Sequence, residues 1–344
     1  LSLSHHMKHI LRTIFLFLSL YSCSEPYEDL NPFRQDAEVI AVFSPNGIGD
    51  CSYSALMYRG MIAATDSLGI SFRPIIPATY EEGAEKLLQL VSTEVKGRKR
   101  LIISADPEYS GLLKEKASQG YIVDSDSTRL LVLEGDFLHP CVYTAHVPFS
   151  GVMYKAGYVA GRMNGVDNVR IYVANDKYCY IREGADGFIQ GFTQNKNGNI
   201  DVVDMSLIND DDTEGFQKSM LAYVDYAPEC MESSDMVLTF CGETIMGFLR
   251  FNRENPGSFY TVGIDAQMSD HSSDVPFSYV AHFDKVLSTS ISEWNENRLQ
   301  HYRRFGLKDG WVELVISESF RSELGPLSEQ IYSQAIEMEE CYED

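Results

Sequence analysis

From residue 37 onward, short apolar runs alternate with amphipathic stretches, and this rhythm constrains the fold more than any other feature of the chain. Residues 37–43, 72–77, 100–104, 121–123, 130–133 and 142–147 read as strands. Helices are expected from Asp50 to about Asp66, from Glu81 to about Val95 and from about Glu108. The second half repeats the pattern. Strands are expected at 169–174, 200–205, 235–240 and 259–264, with helices over 151–163, from about Ile181 to Gln194 and from near Thr213. A helix of about twenty residues from Phe283, a hairpin-like segment at 310–316 and an acidic C-terminal helix complete the reading. Strands separated by helices form parallel sheets covered on both faces. Two such sets predict an α/β protein of two doubly wound lobes. Ligands of such sheets sit beyond the carboxyl ends of the strands, so two lobes can share one cleft and close on a small ligand.

Composition narrows the function classes. The 344 residues carry 28 Lys+Arg against 50 Asp+Glu, a net charge of −22. Nucleic acid is a poor partner for so acidic a chain, because affinity for it comes largely from cations neutralising phosphates. A basic membrane-surface patch is disfavoured for the same reason. The 44% hydrophobic content rules out a wholly disordered chain. No apolar run reaches the roughly 18 residues of a membrane-spanning helix.

The N-terminus reads as an address. Met7 to Arg12 is a short basic segment, and residues 14–20 form an apolar run too short to span a bilayer. Leu20-Tyr21-Ser22-Cys23 follows directly, a lipobox pattern in which Cys23 is acylated after cleavage. The expected organisation is a signal peptide over 1–22 and a polar tether over 23–36. One lobe is expected from 37–146 plus about 283–344, and the other from 147–282. Six further cysteines, Cys51, Cys141, Cys179, Cys230, Cys241 and Cys341, contain no C-x-x-C pair, which disfavours a zinc site or thioredoxin motif. Export permits disulfides. Cys141 and Cys241 lie in apolar runs and read better as buried thiols.

Candidate binding residues stand at the strand ends. Gly47-x-Gly49 after the first strand is a partial dinucleotide fingerprint, but Ser52 stands where a third glycine is needed. Asp50 stands where phosphate would dock, so this helix start favours hydroxyls or amines over phosphate. Asp50 is either a ligand for hydroxyls or a plain helix cap, and Tyr53 is either a stacking ring or core. Gly242 allows close backbone approach after the strand at 235–240. Asp265 ends the strand at 259–264 as a second candidate carboxylate or a turn residue. The acidic run 209–215 lacks the spacing of an EF-hand loop and reads as a helix start. No nucleophile elbow, zinc-protease motif or P-loop is present.

Taken in order, these segments resemble the basic membrane protein family, lipoproteins that serve as substrate-binding proteins of ABC importers and are similar to purine nucleoside receptors. The resemblance rests on Cys23, on Gly47-Ile48-Gly49-Asp50-Cys51-Ser52-Tyr53-Ser54, and on Tyr154-x-Ala156-Gly157. It also rests on the run 184–192, the glycine turn at Gly242 and Val262-Gly263-Ile264-Asp265-Ala266-Gln267. It implies the type I periplasmic binding fold, a purine nucleoside in the cleft, an ABC permease as partner, and no cofactor. By the same resemblance Asp50, Ser52, Tyr53 and Ser54 would meet the ligand, Tyr53 replacing a base-stacking phenylalanine, with Gly242 and Asp265 at the ribose. The chain departs from the pattern in three places. A family phenylalanine falls on Gly184, with Tyr178 or Tyr180 as substitutes. Pro148-Phe149-Ser150 stand where an acidic residue precedes the helix, and a family lysine falls on Asp284 with Lys285 one place off. The expected function is a lipid-anchored extracytoplasmic solute receptor rather than an enzyme. A ligand sensor for a signalling partner, an exported nucleoside or sugar hydrolase, and a structural surface protein are the alternatives.

Overall fold

Two parallel sheets organise the computed structural model, which describes residues 34–49, 53–95, 97–135, 137–207 and 219–341. The first sheet contains β1 (Arg34–Val42), β2 (Ile70–Ile75), β3 (Lys99–Ser104), β4 (Thr128–Leu133), β5 (Tyr143–His146) and β11 (Tyr302–Arg304), in the order β11-β5-β4-β3-β1-β2. β1 pairs in parallel with β3, Val39 facing Leu101, and β3–β4, β4–β5 and β5–β11 are also parallel. The second sheet has the order β7-β6-β8-β9, from β6 (Asn168–Val173), β7 (Asn199–Asp204), β8 (Met236–Phe240) and β9 (Tyr260–Thr261), and its ladders are all parallel. In each sheet the order reverses beside the first strand, between β1 and β3 and between β6 and β8. These are the switch points where α/β sheets bind ligands. A separate antiparallel pair joins β10 (Phe277–Ala281) to β12 (Val312–Ile316).

Helices cover the sheets. α1 (Tyr53–Leu68) packs through Gly60 against α8 (Phe283–Asn295), where a Cβ at Gly60 would lie 2.8 Å from the Asp284 backbone. α2 (Tyr80–Val91) starts at Thr79, whose hydroxyl accepts from the Glu82 N–H, and buries Leu87 and Val91. α3 (Ser110–Ser118) follows a single 3-10 turn at Pro107–Tyr109. α4 (Ser150–Ala160) and α5 (Cys179–Thr193) meet backbone to backbone. A Cβ at Gly157 would lie 2.0 Å from the Phe188 carbonyl oxygen, and one at Gly191 2.0 Å from that of Tyr154. The glycines of both helices make this approach possible, because only glycine permits so close a contact. Beyond α6 (Ala227–Ser233) and α7 (Ile245–Glu254), α9 (Arg321–Gln330) and α10 (Tyr332–Cys341) pack on α4.

Several local expectations change. Residues 121–123 form no strand. Ile122 is buried in the core beside Leu113 and Leu130, and the Val123 N–H bonds the Val91 carbonyl, so the segment packs without a sheet neighbour. The helix from Phe283 ends at Asn295, two residues before Asn297 at φ 58°. The 310–316 segment pairs with β10 rather than with itself. The helix expected near Thr213 and the acidic run 209–215 lie outside the described residues, as do Cys23 and the tether, apart from the tether's last residues. Cys141, Cys179, Cys230, Cys241 and Cys341 stand outside any disulfide; Cys241 is buried and Cys141 half-buried.

Candidate ligand cleft

The carboxyl ends of β1, β3 and β8, and the segment after β9, converge on one cavity of about 80 Å³. Tyr53, Ser54, Gly242 and Asp265 all line it, so four of the six expected binding residues share one space. Asp50 and Ser52 lie outside the described residues. Tyr53 stands at the start of α1, edge-on to Phe283 with ring centroids 4.9 Å apart. Its hydroxyl is buried without a hydrogen-bond partner among the described residues, and burial pushes its pKa well above the usual tyrosine value.

Asp265 is buried and holds φ at 66°, a left-handed conformation that is strained for a residue with a side chain. Its carbonyl accepts from the Ala281 N–H at 3.2 Å, which ties the strained turn to β10. Strain of this kind costs about 1–3 kcal/mol and persists only where surrounding structure holds it. Gly242, at φ 52°, turns the chain from β8 into α7.

Other lining groups carried no distinct mark in the sequence. Asp106 follows β3. Its Oδ1 accepts from the Glu108 N–H at 2.8 Å and its Oδ2 from the Tyr80 hydroxyl at 3.3 Å. Tyr80 in turn lies 3.1 Å from the Ser44 hydroxyl, which accepts from the Asn46 N–H. This chain of bonds fixes the Asp106 carboxyl at the mouth of the β1–β3 switch point. Burial pushes its pKa up to about 6, against the downward pull of the Glu108 N–H. The available signal was position alone: Asp106 follows a strand, as Asp265 does. It also caps the 3-10 turn, which gives it a sufficient local role and hides a second one.

The aromatic wall explains the missing ring at Gly184. A Cβ there would lie 2.7 Å from the Phe240 ring and 3.2 Å from Phe149. Phe149 stacks on Tyr279 at 4.4 Å, meets Phe240 edge-on at 5.7 Å and lies 6.0 Å from Tyr180. The ring that a side chain at 184 would supply is thus provided by Phe149, Phe240 and Tyr180, all three of which line the cavity. Phe149 stands where the resemblance placed an acidic residue. Asp284 and Lys285 are exposed on α8, and neither lines the cavity.

Contacts between the lobes border the cleft. The Tyr178 hydroxyl donates to Glu108 Oε2, and Lys177 Nζ lies 3.4 Å from the same oxygen. Glu108 follows β3 of the first sheet and Tyr178 follows β6 of the second, so this carboxylate ties the two sides together two residues from Asp106. Of the two substitutes, Tyr180 faces the cavity and Tyr178 makes the tie. Where the chain passes from β5 towards α4, His146 Nδ1 lies 2.7 Å from Glu134 Oε2 and its Nε2 3.6 Å from Glu183 Oε2 on α5. Glu134 Oε1 also accepts from the Val147 N–H at 3.0 Å.

Two parallel lobes with paired switch points around a buried, ring-walled cavity define a solute-binding protein of the type I periplasmic binding fold. The chain belongs to the PnrA-like family of ABC transporter substrate-binding proteins, whose family model matches residues 37–341. It is therefore similar throughout its main body to receptors that deliver small ligands to ABC transporters. Among solved structures, a solute-binding protein of an ABC transporter system from Aeropyrum pernix K1 aligns with a TM-score of 0.66 at 15% identity, covering 88% of this chain and 86% of that one. A transcriptional activator of the comK gene from Bacillus halodurans aligns with a TM-score of 0.66 at 14% identity, covering 87% and 97%. An ABC transporter solute-binding protein from Agrobacterium vitis with bound allitol aligns with a TM-score of 0.58 at 11% identity, covering 84% and 98%. At these identities the likeness concerns the fold. No curated protein matches the sequence.

Proposed function

We propose that this chain is a lipid-anchored extracytoplasmic receptor that captures a nucleoside-like ligand between its lobes and presents the closed form to an ABC permease. The observation that carries the reading is the shared cavity. It sets aromatic faces from Tyr53, Phe149 and Tyr180 beside the Asp265 carboxylate at the strand ends of both sheets. Rings offer a base its stacking faces, and a carboxylate accepts from sugar hydroxyls. Lobe closure desolvates both interactions and so strengthens them.

The test is a thermal-shift screen of the soluble chain from residue 33 onward against nucleosides, bases, pentoses and hexoses. Ligand at about 100 times its Kd adds roughly 2.7 kcal/mol of stability. Purine nucleosides are expected to raise the melting temperature by several degrees. Asp265→Asn is expected to abolish that shift while folding normally, since asparagine tolerates the left-handed conformation. Tyr178→Phe, which loses the tie to Glu108, is expected to release ligand faster with the order of preference unchanged. Shifts confined to free sugars, or an undiminished nucleoside shift in Asp265→Asn, would sink the nucleoside reading. The anchor is tested by cell fractionation: Cys23→Ala is expected to free the chain from membranes, and its retention there would refute lipidation.

A further inference from the structure

One polar atom of the cleft wall has no partner in the fold. The hydroxyls of Ser44 and Tyr80 are bonded to each other, and Tyr80 donates to Asp106. The Tyr53 hydroxyl is buried and bonded to nothing, and Tyr53 is the only cavity-lining residue among those described with such a side-chain atom. A buried hydroxyl left unpaired weakens the chain that carries it. A phenylalanine would supply the same ring without that loss, so the hydroxyl needs its own account. The titratable groups that bear on the phenol are Glu134, Tyr180, Asp106 and Asp265, and the last three line the same cavity. The hydroxyl therefore stands in the wall of the ligand space. Burial first, and then these groups, hold it protonated, so it has a proton to give. Phe283 braces the ring edge-on, with centroids 4.9 Å apart, so the ring does not have to be ordered on binding.

We infer that Tyr53 is a specificity-determining residue of this cleft, its hydroxyl donating to a carbonyl oxygen on the base of the ligand. No described residue takes the proton, so the acceptor comes with the ligand. Phe149, Tyr180 and Phe240 share the wall with Tyr53. Rings suit a flat base, and this brings the edge of the base, rather than the sugar, to the phenol. A carbonyl oxygen there accepts the proton. An amino group in its place sets donor against donor. A site that depends on such a bond discriminates strongly against a ligand without the acceptor, because the hydroxyl then stays buried and unpaired. The inference rests on the nucleoside reading above and specifies the base.

The experiment is isothermal titration of the parent and of Tyr53→Phe with inosine and adenosine, which share a sugar and differ by a carbonyl against an amino group on the base. The parent is expected to bind inosine about tenfold or more tightly than adenosine. Tyr53→Phe is expected to bring the two within about threefold, chiefly by weakening inosine. Without ligand, its melting temperature is expected not to fall, since the lost hydroxyl has no partner to lose. Equal affinities in the parent, a preference for adenosine, or a preference for inosine that survives in Tyr53→Phe each overturn the inference and leave the nucleoside reading in place. A drop of several degrees in the ligand-free variant would show that the hydroxyl serves the fold, and overturns it too. Silence of the parent towards both compounds removes the nucleoside reading and the inference with it.

Discussion

Replacing His146 by leucine is expected to destabilise the protein by about 3–5 kcal/mol, the usual result of removing one partner from a buried ion pair. His146 sits between two carboxylates from different elements. Glu134 follows β4 and is 7% exposed, and Glu183 belongs to α5 across the passage between the sheets. Without the imidazolium, both carboxylates face each other in a space with little water. Either the charges repel or one carboxyl takes up a proton, and both routes weaken the native state. Leucine fills much of the same volume, so the loss isolates the charge rather than a cavity. The double variant His146→Leu, Glu134→Leu is expected to recover part of the stability, because an apolar pair avoids the orphaned charge. Urea unfolding followed by fluorescence reads both effects. A single variant within about 0.5 kcal/mol of the parent would show that the cluster does not hold the lobes' junction together.

Stability is expected to fall steadily as pH rises from about 5 to about 9, by on the order of 5 kcal/mol in all. Three groups drive this in the same direction. Burial pulls the His146 pKa down, but Glu134 and Glu183 outweigh it and raise the value to about 10. Burial raises Glu339 on α10 to about 7, against the downward pull of Arg304, the Leu307 N–H and His146 and with the added push of Glu183. Burial likewise raises Asp106 to about 6. Each group binds its proton more tightly in the folded chain than in the unfolded one. Each contribution is therefore complete below the unfolded pKa and is lost as pH climbs through the folded value. Asp106 and Glu339 act mainly between about pH 4 and 7, and His146 between about 6.5 and 10. Self-repulsion from the net charge of −22 adds the same sign. Melting temperature measured across this range checks the slope. Glu339→Gln, which keeps an acceptor for the Leu307 N–H, is expected to flatten the lower part alone. His146→Leu is expected to flatten the upper part. A protein more stable at pH 8 than at pH 5 would contradict the assignment.

The alternation of apolar runs carried most of the fold. The run at 100–104 becomes β3, and the run at 169–174 becomes β6, each within a residue or two. Such runs are legible because a central parallel strand is buried on both faces and tolerates little else. The run at 121–123 is equally apolar and is no strand, because burial and sheet pairing leave the same local mark. Among the cavity-lining residues, Asp265 was legible from its place after a strand. Asp106 had the same place but was masked by its role as a cap.

By itself, the sequence determined the class of fold and the strand ends where a ligand could sit. These follow from periodicity, which is a local property. Which rings face the cleft was decided only by the tertiary structure. Phe149 and Phe240 are far apart in the chain and meet above Gly184 because the β5–α4 connection and the end of β8 cross there. The approach of α4 to α5, the tie from Tyr178 to Glu108 and the two carboxylates around His146 are decisions of the same kind. Each joins side chains from separate elements, and no spacing along one element encodes a contact made by packing two.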